Sequence, residues 1–297
     1  MTDGTSTPVP SAGTAAAASS AAATSAPRRT RRRPRIGVVL LAVVWAVALA
    51  AALAGPAVAG LLGLPDPGEP LTRPFAEPST AHLLGGDRLG RDVLARLLSG
   101  NTALVVPPAI AATCATGLGL VIALAGEALP RLGRMLHLAA DAVLVIPGMI
   151  LVLAAVTAAP GAVAPLLAVS VLIAAPLSAR YLAAASRPVL ASGFVESARV
   201  AGEPAWRILL LDVLPALRRP IAADLGLRYV ALVFVTATAA FLGASTGGGD
   251  VTWPAMAQAG MEGLKLNPWA AAAPCLAVTL LAAPPALLAD ALLGGRR

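Results

Sequence analysis

The chain has 297 residues, of which 58% are hydrophobic and only 12% are charged. A soluble domain carries about 25% charged residues, so this composition excludes an ordinary water-soluble protein and indicates one embedded in a lipid bilayer. The net charge of +7 does not indicate a nucleic-acid partner, because six arginines cluster within residues 28–35, immediately before an apolar run, as expected of a cytoplasmic membrane boundary.

Residues 1–35 are rich in Thr, Ser, Ala and Pro, and then in Arg, without apolar periodicity. We expect them to form a disordered basic cytoplasmic tail that orients the first helix. The apolar run that follows could instead be a cleaved secretory signal, since residues 57–60 (AVAG) resemble a cleavage site. Its length exceeds the usual 7–15-residue signal core and further spans follow it, which favours a retained anchor.

Six apolar stretches follow, each close to the ~20 residues that cross the hydrocarbon core. They cover about Ile36–Leu62, Ala103–Ala125, Leu136–Ala158, Gly161–Ala183, Ile221–Gly243 and Ala270–Leu292. With the N-terminus inside, sixteen of the 22 Lys and Arg residues lie in cytoplasmic parts, five lie outside and Arg228 lies within the fifth span. The positive-inside rule therefore predicts an all-α, multi-pass cell-membrane protein with six transmembrane helices and both termini cytoplasmic. Its membrane domain covers residues 36–297 and includes a cytoplasmic loop over 184–220.

That cytoplasmic loop contains a charged segment between two membrane-length stretches. Its first apolar residues recur every three or four positions, which predicts one helical face; they are Phe194, Val195, Ala198 and Ala201. Gly202 and Pro204 end this helix, because Gly accepts positive φ and Pro disfavours helical geometry in the residue before it. A second apolar run goes from Trp206 to Leu214 and ends at Pro215. The pattern predicts a helix–turn–helix with an exposed polar tip; a plain surface connector between spans is the alternative.

The spacing of this segment resembles the EAA loop of ABC-importer permeases, which reads Glu-Ala-Ala, three residues, Gly, nine residues, then Ile-x-Leu-Pro. The corresponding residues here are Glu196, Ser197, Ala198, Gly202, Asp212, Val213, Leu214 and Pro215. Ser197 replaces an alanine of that pattern, Asp212 replaces its isoleucine, and Ala216 stands where the residue after the final Pro is usually Asn.

A second segment, before the second span, resembles one permease subunit of dipeptide/oligopeptide/nickel importers, whose pattern is His-x-Leu-Gly-Thr-Asp-x-x-Gly-Arg-Asp-Val. The matching residues are His82, Leu84, Gly85, Asp87, Gly90, Arg91, Asp92 and Val93, with Gly86 where Thr is usual. Two shorter segments fit in the same order, one with Asp141 six residues before Pro147 and one from Phe241 to Ala257. In the fifth span, Thr236 stands where the family often has an acidic residue.

The resemblance implies a type I ABC importer permease fold that forms half of a translocation path. The sequence contains no G-x-x-x-x-G-K-[ST] phosphate loop, so ATP and Mg²⁺ are expected on separate ATPase subunits and no cofactor, metal or catalytic residue on this chain. The implied ATPase-coupling residues are Glu196, Ser197, Ala198, Gly202, Trp206, Leu214 and Pro215. The further partners implied are a second, related permease subunit, one or two kinds of ATPase subunit and an extracytoplasmic solute-binding protein.

Three ionisable residues within the predicted spans are candidates for a polar intramembrane or path-lining role. A charge near the bilayer centre costs roughly 2.5–3.5 kcal/mol, so such residues usually face protein or water. Asp224 and Arg228 are four residues apart and can pair on one helical face; a direct role with the solute is the alternative. Asp141 could make a polar contact between helices or line the path. The external motif, His82 to Arg96, could contact the binding protein or form a hydrogen-bonded cap over the bundle.

Other functions find little support in the sequence. Cys114 and Cys275 lie in apolar segments and predict small buried side chains rather than a disulfide or a metal site, and the two histidines are far apart. A secondary transporter or channel would need more polar residues within its spans. An intramembrane enzyme would need a nucleophile–base pair or a metal-binding set. A membrane scaffold is the remaining alternative.

Overall fold

A computed structural model describes residues 35–99, 101–242 and 252–293 of the chain. The predicted tail therefore lies outside the described residues, as does most of the link between Phe241 and Ala257. Within the described residues every regular element is helical, and β-type pairing consists of two isolated bridges. The α-helices are α1 (Arg35–Leu61), α2 (Val93–Leu98), α3 (Thr102–Ala128), α4 (Pro130–Leu144), α5 (Gly148–Ala158), α6 (Val163–Leu190), α7 (Gly193–Val200), α8 (Ala205–Arg207), α9 (Leu214–Ala216), α10 (Arg218–Phe241), α11 (Trp253–Gly260) and α12 (Trp269–Leu293). A π-helix (Ile208–Val213) follows α8, and a 3₁₀ turn (Met261–Gly263) follows α11.

Four helical stretches are long and apolar enough to cross a membrane. They are Val39–Leu61, Val93–Ala128, Val163–Leu190 and Arg218–Phe241. The bent pair α4 and α5 would make a fifth span, and the apolar part of α12, Trp269–Pro285, is shorter. The helical membrane architecture is therefore confirmed, whereas the number six stays a prediction.

The third predicted span is not one continuous helix. We expected a single helix over residues 136–158, but α4 ends at Leu144, α5 begins at Gly148, and the two axes differ by 76°. Pro147 explains the break, because its ring disfavours helical geometry at Ile146 and its own ψ of 114° is extended.

The fourth predicted span extends further than the sequence indicated. It continues to Leu190, seven residues beyond the expected end at Ala183. Pro176 lies buried inside this helix, as prolines can when neighbouring membrane helices satisfy the freed backbone groups. As a result Arg180, which the charge count assigned to the cytoplasm, lies well within α6.

The centre of the bundle is built on close contact between α3 and α6. Alanines 111, 112 and 115 of α3 pack against alanines 174 and 175 of α6, and Gly119 lies against the backbone of Ser178 and Ala179. Small residues allow helix backbones to approach closely in a membrane. The residue numbers increase together along both helices, so α3 and α6 are parallel. After Leu129 the chain folds back so that Gly133 of α4 lies against Gly126 of α3, and α4 is therefore antiparallel to both helices.

The two ends of the bundle carry different structures. At one end, residues 193–217, here called the hairpin, pack on α3 and α6 through a buried cluster of Val195, Ile208, Val213 and Leu217. At the other end, here called the loop end, Trp253 and Val93 lie in a core shared by α1, α2, α3, α10, α11 and α12. The predicted burial of the two cysteines is wrong, because Cys114 and Cys275 point away from these cores and are exposed.

Candidate functional site

The first arm of the hairpin ends in a Schellman motif centred on Gly202. The Gly202 amide donates to the Arg199 carbonyl (3.0 Å), and the Glu203 amide donates to the Ala198 carbonyl (3.1 Å). Gly202 has φ +80°, the left-handed conformation that this motif requires and that glycine adopts without strain. The predicted end of the first helix at Gly202 agrees with this geometry.

The second arm does not end at Pro215, contrary to the sequence prediction. It passes from α8 through the π-helix and α9 and continues, after Leu217, into α10. In a regular α-helix the Pro215 ring would clash with the carbonyl four residues earlier. The wider π-helical turn, in which the Leu214 amide donates to the Leu209 carbonyl, accommodates the proline.

One side of the hairpin is anchored and the other side carries exposed apolar groups. Val195 and Ala198 of the predicted apolar face pack inward, whereas Phe194 and Ala201 of that predicted face are exposed. The large exposed apolar side chains of the hairpin are Phe194, Val200, Trp206, Leu210 and Leu211. Isolated exposed apolar residues are normal on a protein surface. Five within one short hairpin indicate a surface that another molecule covers.

The predicted coupling residues lie on or beside this exposed surface. Glu196 and Ser197 of α7 are exposed, and Trp206 is 64% exposed. A side chain at Gly202 would meet nothing within 4 Å. Pro215 is exposed, and Leu214 and Ala198 are half-buried. All seven predicted residues therefore lie in the hairpin, either on its exposed surface or at the edge of that surface. Ser197 replaces an alanine of the family pattern. Its hydroxyl donates to the Gly193 carbonyl (2.8 Å), so the added polar group has a hydrogen-bond partner within the helix.

The predicted pair of Asp224 and Arg228 is formed inside the bundle. The Arg228 Nε donates to Asp224 Oδ1 at 3.1 Å, and Thr116 Oγ1 of α3 donates to Asp224 Oδ2 at 3.0 Å. Asp224 is only 1% exposed. A buried carboxylate with a cation and a hydroxyl on its two oxygens is a closed structural contact between α3 and α10.

Asp141 makes the polar contact between helices that the sequence left as one alternative. Arg180 of α6 donates through Nε to Asp141 Oδ1 at 3.0 Å, and its Nη2 also contacts that oxygen. Unlike the buried pair of Asp224 and Arg228, this pair is accessible from outside the chain, because the two side chains are 48% (Asp141) and 52% (Arg180) exposed.

The external motif, His82 to Arg96, lies at the loop end and forms a dense hydrogen-bonded structure. The Asp87 carboxylate accepts from the Leu89 amide (2.8 Å), the Arg91 amide (2.9 Å) and Arg91 Nε (2.8 Å), and Arg96 Nε lies 3.4 Å from it. Asp92 caps α2 through the Ala95 amide (2.8 Å) and pairs with His82 Nδ1 (2.7 Å). This geometry is that of a local cap over the bundle, the second of the two roles left open for the motif.

The two glycines of that motif have conformations that other residues rarely adopt. Gly85 has φ +71° and Gly90 has φ +75°. A side chain at Gly85 would also collide with the Ala76 carbonyl. The fully buried Asn267 donates through Nδ2 to the carbonyls of Leu84 (2.9 Å) and Gly86 (3.0 Å). The motif is thus fixed by a residue almost two hundred positions later in the chain.

Sequence reasoning missed three partners in these contacts. Thr116 and Arg180 lie in stretches that were assigned only by hydropathy, and Arg180 was placed with the cytoplasmic charges. Its position three residues inside the predicted end of the fourth span was the signal that could have identified it. Asn267 gave no usable signal, because the two hydrogen bonds that its Nδ2 donates go to backbone carbonyls that no side-chain pattern reveals.

Comparison with known proteins identifies related chains. Residues 115–294 match the family described as "Binding-protein-dependent transport system inner membrane component". A putative peptide transport system permease protein of Brucella suis biovar 1 is 31% identical over 265 residues, which cover 87% of this chain and 85% of the relative. The glutathione transport system permease protein GsiD of Pectobacterium atrosepticum is 28% identical over 219 residues, 72% of each chain. The di/tripeptide transport system permease protein DppC of Pseudomonas aeruginosa is 27% identical over 213 residues, 71% of this chain and 70% of the relative.

Proposed function

Because the chain belongs to the family of binding-protein-dependent transport system inner membrane components, we propose that it forms half of the translocation path of an ATP-driven peptide importer. It is a multi-pass membrane permease subunit of an ABC transport system. The observation that carries the proposal is the hairpin: a rigidly anchored helical element on a membrane bundle, with an apolar surface that this chain leaves uncovered.

The proposed topology has six spans, with both termini and the hairpin in the cytoplasm. With Arg180 counted within a span, fifteen Lys and Arg residues inside against five outside support it. The apolar part of α12 would be the sixth span, and the bent pair of α4 and α5 the third. The loop end then faces the extracytoplasmic side, where a solute-binding protein would deliver its cargo.

The proposed role of the hairpin is to dock an ATPase subunit. The chain has no phosphate loop of its own, so ATP and Mg²⁺ would be held by that partner. An apolar helical surface inserted in a groove is a common recognition mode, and the exposed carboxylate of Glu196 could pair with a basic residue beside the groove. The co-purification described below also determines whether one kind of ATPase serves both permease subunits.

The anchoring of the hairpin suggests how ATP hydrolysis would reach the membrane. Val195 and Ile208 of the hairpin pack on Leu120 and Leu124 of α3, and the second arm continues directly into α10. A displacement of the hairpin would therefore move α3 and α10, which Asp224 ties together. Two arrangements of the same bundle would expose the path to opposite sides, and the ATPase would shift the balance between them.

The solute class is proposed from the relatives. The three described above are named as permeases for peptides, di/tripeptides and glutathione. All three names specify a peptide and one of them specifies di- and tripeptides, which makes a dipeptide the first solute to test. Nickel, which the sequence resemblance also allowed, is the second.

The test of this function is co-purification of the tagged chain from its native membrane, followed by mass spectrometry. One variant replaces Phe194 and Trp206 by Ser; these side chains are 51% and 64% exposed on the hairpin. The matched control replaces Leu89 and Leu83 by Ser, which are 51% and 64% exposed at the loop end.

We expect a subunit with its own phosphate loop and a second permease to co-purify with the wild type and the control. The hairpin variant should lose the ATPase and keep the second permease. Retention of the ATPase in the hairpin variant, or equal loss in both variants, would contradict the docking proposal. A wild-type chain that purifies alone would contradict the importer assembly itself.

A further inference from the structure

One face of the bundle combines an open ion pair with uncovered positive charges. Asp141 and Arg180 pair across α4 and α6 and are each about half exposed. Arg134 precedes Asp141 by seven residues, and Arg187 follows Arg180 by seven, so each lies on the same side of its helix as the pair. Since α4 and α6 are antiparallel, both arginines lie about 10 Å nearer the hairpin end than the pair.

Arg134 and Arg187 are exposed, and neither forms an ion pair with any residue that the structure describes. The face made by Arg134, Asp141, Arg180, Ala184 and Arg187, here called the charged face, therefore carries three positive charges and one negative charge. Its positive excess lies towards the hairpin.

Lipid would not be a suitable environment for the part of this face that contains Asp141 and Arg180. Charged side chains within membrane spans turn to the bundle interior, to another protein chain or to a water-filled cavity. The interior of this chain already has its own charged contact, the buried pair of Asp224 and Arg228. Asp141 and Arg180, in contrast, leave about half of their surface uncovered.

We infer that the charged face lines the aqueous translocation path and that its arginines attract the carboxylate of the solute. This inference rests on the proposed importer function and adds to it a solute chemistry, a small molecule with a free carboxylate such as the C-terminus of a peptide. Arginine suits the task, because its guanidinium matches a carboxylate with two parallel hydrogen bonds. Asp141 neutralises Arg180 and can exchange it for the ammonium group of the same solute. Arg187 and Arg134 then extend the positive potential towards the hairpin end.

The first test measures the environment of the charged face without any solute. Ala184 lies on this face between Arg180 and Arg187 and is exposed, so it is replaced by Cys in a chain whose native Cys114 and Cys275 are changed to Ser. The complete importer in inside-out membrane vesicles is treated with an anionic and a cationic methanethiosulfonate reagent. Each rate is divided by the rate of that reagent with free cysteine.

We expect Ala184→Cys to react, and the anionic reagent to react about tenfold faster than the cationic one, as local positive potential dictates. Combining it with Arg134→Gln and Arg187→Gln should abolish this preference. The control is Val121→Cys on α3, at an exposed apolar position two residues from Gly119. It should stay unreactive, because the reactive thiolate does not form in lipid.

An Ala184→Cys thiol as unreactive as Val121→Cys would place the charged face against lipid or a second chain and would overturn the inference. Equal rates with both reagents would overturn its electrostatic part.

The second test uses uptake of the dipeptide Ala-Ala, and of its C-terminal amide, by vesicles holding the importer and its binding protein. The double exchange Asp141→Arg with Arg180→Asp keeps an ion pair between α4 and α6 but moves the positive charge to α4. We expect assembly and basal ATP hydrolysis to persist while Ala-Ala uptake falls at least tenfold. The control Arg218→Gln removes one exposed charge outside the charged face and should leave uptake unchanged.

Full uptake by the double exchange would mean that the pair only joins two helices, and loss of the second permease would mean that it lies at the subunit interface; both overturn the inference. Equal wild-type uptake of Ala-Ala and its amide would overturn the carboxylate specificity. A wild type that takes up neither compound would contradict the peptide proposal alone, and the thiol measurements would still decide whether the face lines a path.

Discussion

The hydroxyl of Thr116 on α3 donates a hydrogen bond of 3.0 Å to the carboxylate of Asp224 on α10, although 108 positions separate the two residues in the chain. The other oxygen of the same buried carboxylate receives the Nε of Arg228 at 3.1 Å. Two helices are thus joined by a buried polar contact inside the bundle. Because α10 continues from the hairpin, this contact lies on the route by which hairpin movement would reach α3.

We predict that Asp224→Leu destabilises the protein by about 3–5 kcal/mol, because it leaves the largely buried Arg228 guanidinium without its counter-charge. The double variant Asp224→Leu with Arg228→Leu should be clearly more stable than the single one. Thr116→Val removes only one hydrogen bond between membrane helices, which contributes about 0.6 kcal/mol on average. The apparent Tm of the detergent-purified protein gives the order. A double variant as unstable as Asp224→Leu would show that Arg228 does not depend on this carboxylate.

Gly119 and Gly117 allow a matched test of the contact between α3 and α6. A Cβ atom at Gly119 would lie 2.7 Å from the Ala179 amide nitrogen, a backbone atom that cannot move aside, whereas a Cβ at Gly117 would meet nothing within 4 Å. We predict that Gly119→Ala lowers stability by about 1–3 kcal/mol through overpacking. Gly117→Ala should be neutral or stabilising, since Ala is the better helix former.

The measurements for this pair are the yield of monodisperse protein and its apparent Tm. The two substitutions are identical in chemistry and two residues apart in one helix, so membrane insertion and expression affect both equally. Equal behaviour of the two variants would contradict the close approach of α3 and α6 at Gly119.

The sequence predicted well those features that depend on local patterns. Hydropathy located both ends of α1, α3, α10 and α12, and the beginning of α6, to within a few residues, because about 20 apolar residues are needed to cross a bilayer. The turn at Gly202 followed from the conformational freedom of glycine and the constraint that Pro204 imposes. The pair of Asp224 and Arg228 followed from helical spacing alone.

Features that depend on contacts between distant segments could not be read from such patterns. Pro147 and Pro176 both lie within predicted spans, but Pro176 is accommodated inside a helix while Pro147 breaks one, and only the packing around each decides between the two. The partners Thr116, Arg180 and Asn267 lie between 39 and 183 positions from the residues that they contact. The apolar residues predicted to share one face of the first hairpin helix are also divided, because Val195 packs inward whereas Phe194 and Ala201 are exposed.

Two buried asparagines at the loop end differ in their hydrogen bonding and therefore in their predicted contribution. Asn267 makes three hydrogen bonds, two of them to the motif that contains Gly85, while the side-chain amide of Asn101 has no hydrogen-bond partner among the described residues. We predict that Asn267→Leu destabilises the loop end by about 1–3 kcal/mol, because it leaves buried carbonyls unpaired. Asn101→Leu should be neutral or stabilising, since it removes an unsatisfied polar group.

Hydrogen exchange of residues 82–96 measures this difference directly. Faster exchange is expected in Asn267→Leu and unchanged or slower exchange in Asn101→Leu. If both variants exchanged like the wild type, the motif would hold its shape through Asp87 and Asp92 alone, and the assigned role of Asn267 would be wrong.

The conformation of Gly202 separates two reasons why a glycine is needed in the hairpin. Its φ of +80° is costly for most residues, by about 1–2 kcal/mol, but asparagine tolerates it. Because the space around Gly202 is open within this chain, a side chain there meets only an approaching partner.

If conformation alone matters, Gly202→Asn should retain the ATPase during co-purification and Gly202→Val should lose most of it. If the ATPase approaches this backbone closely, both variants should lose it. Gly193→Val, at a second open position without positive φ, is the control that should bind normally. Normal binding in all three variants would contradict docking at this turn, since neither the conformation of Gly202 nor the space around it would then be used.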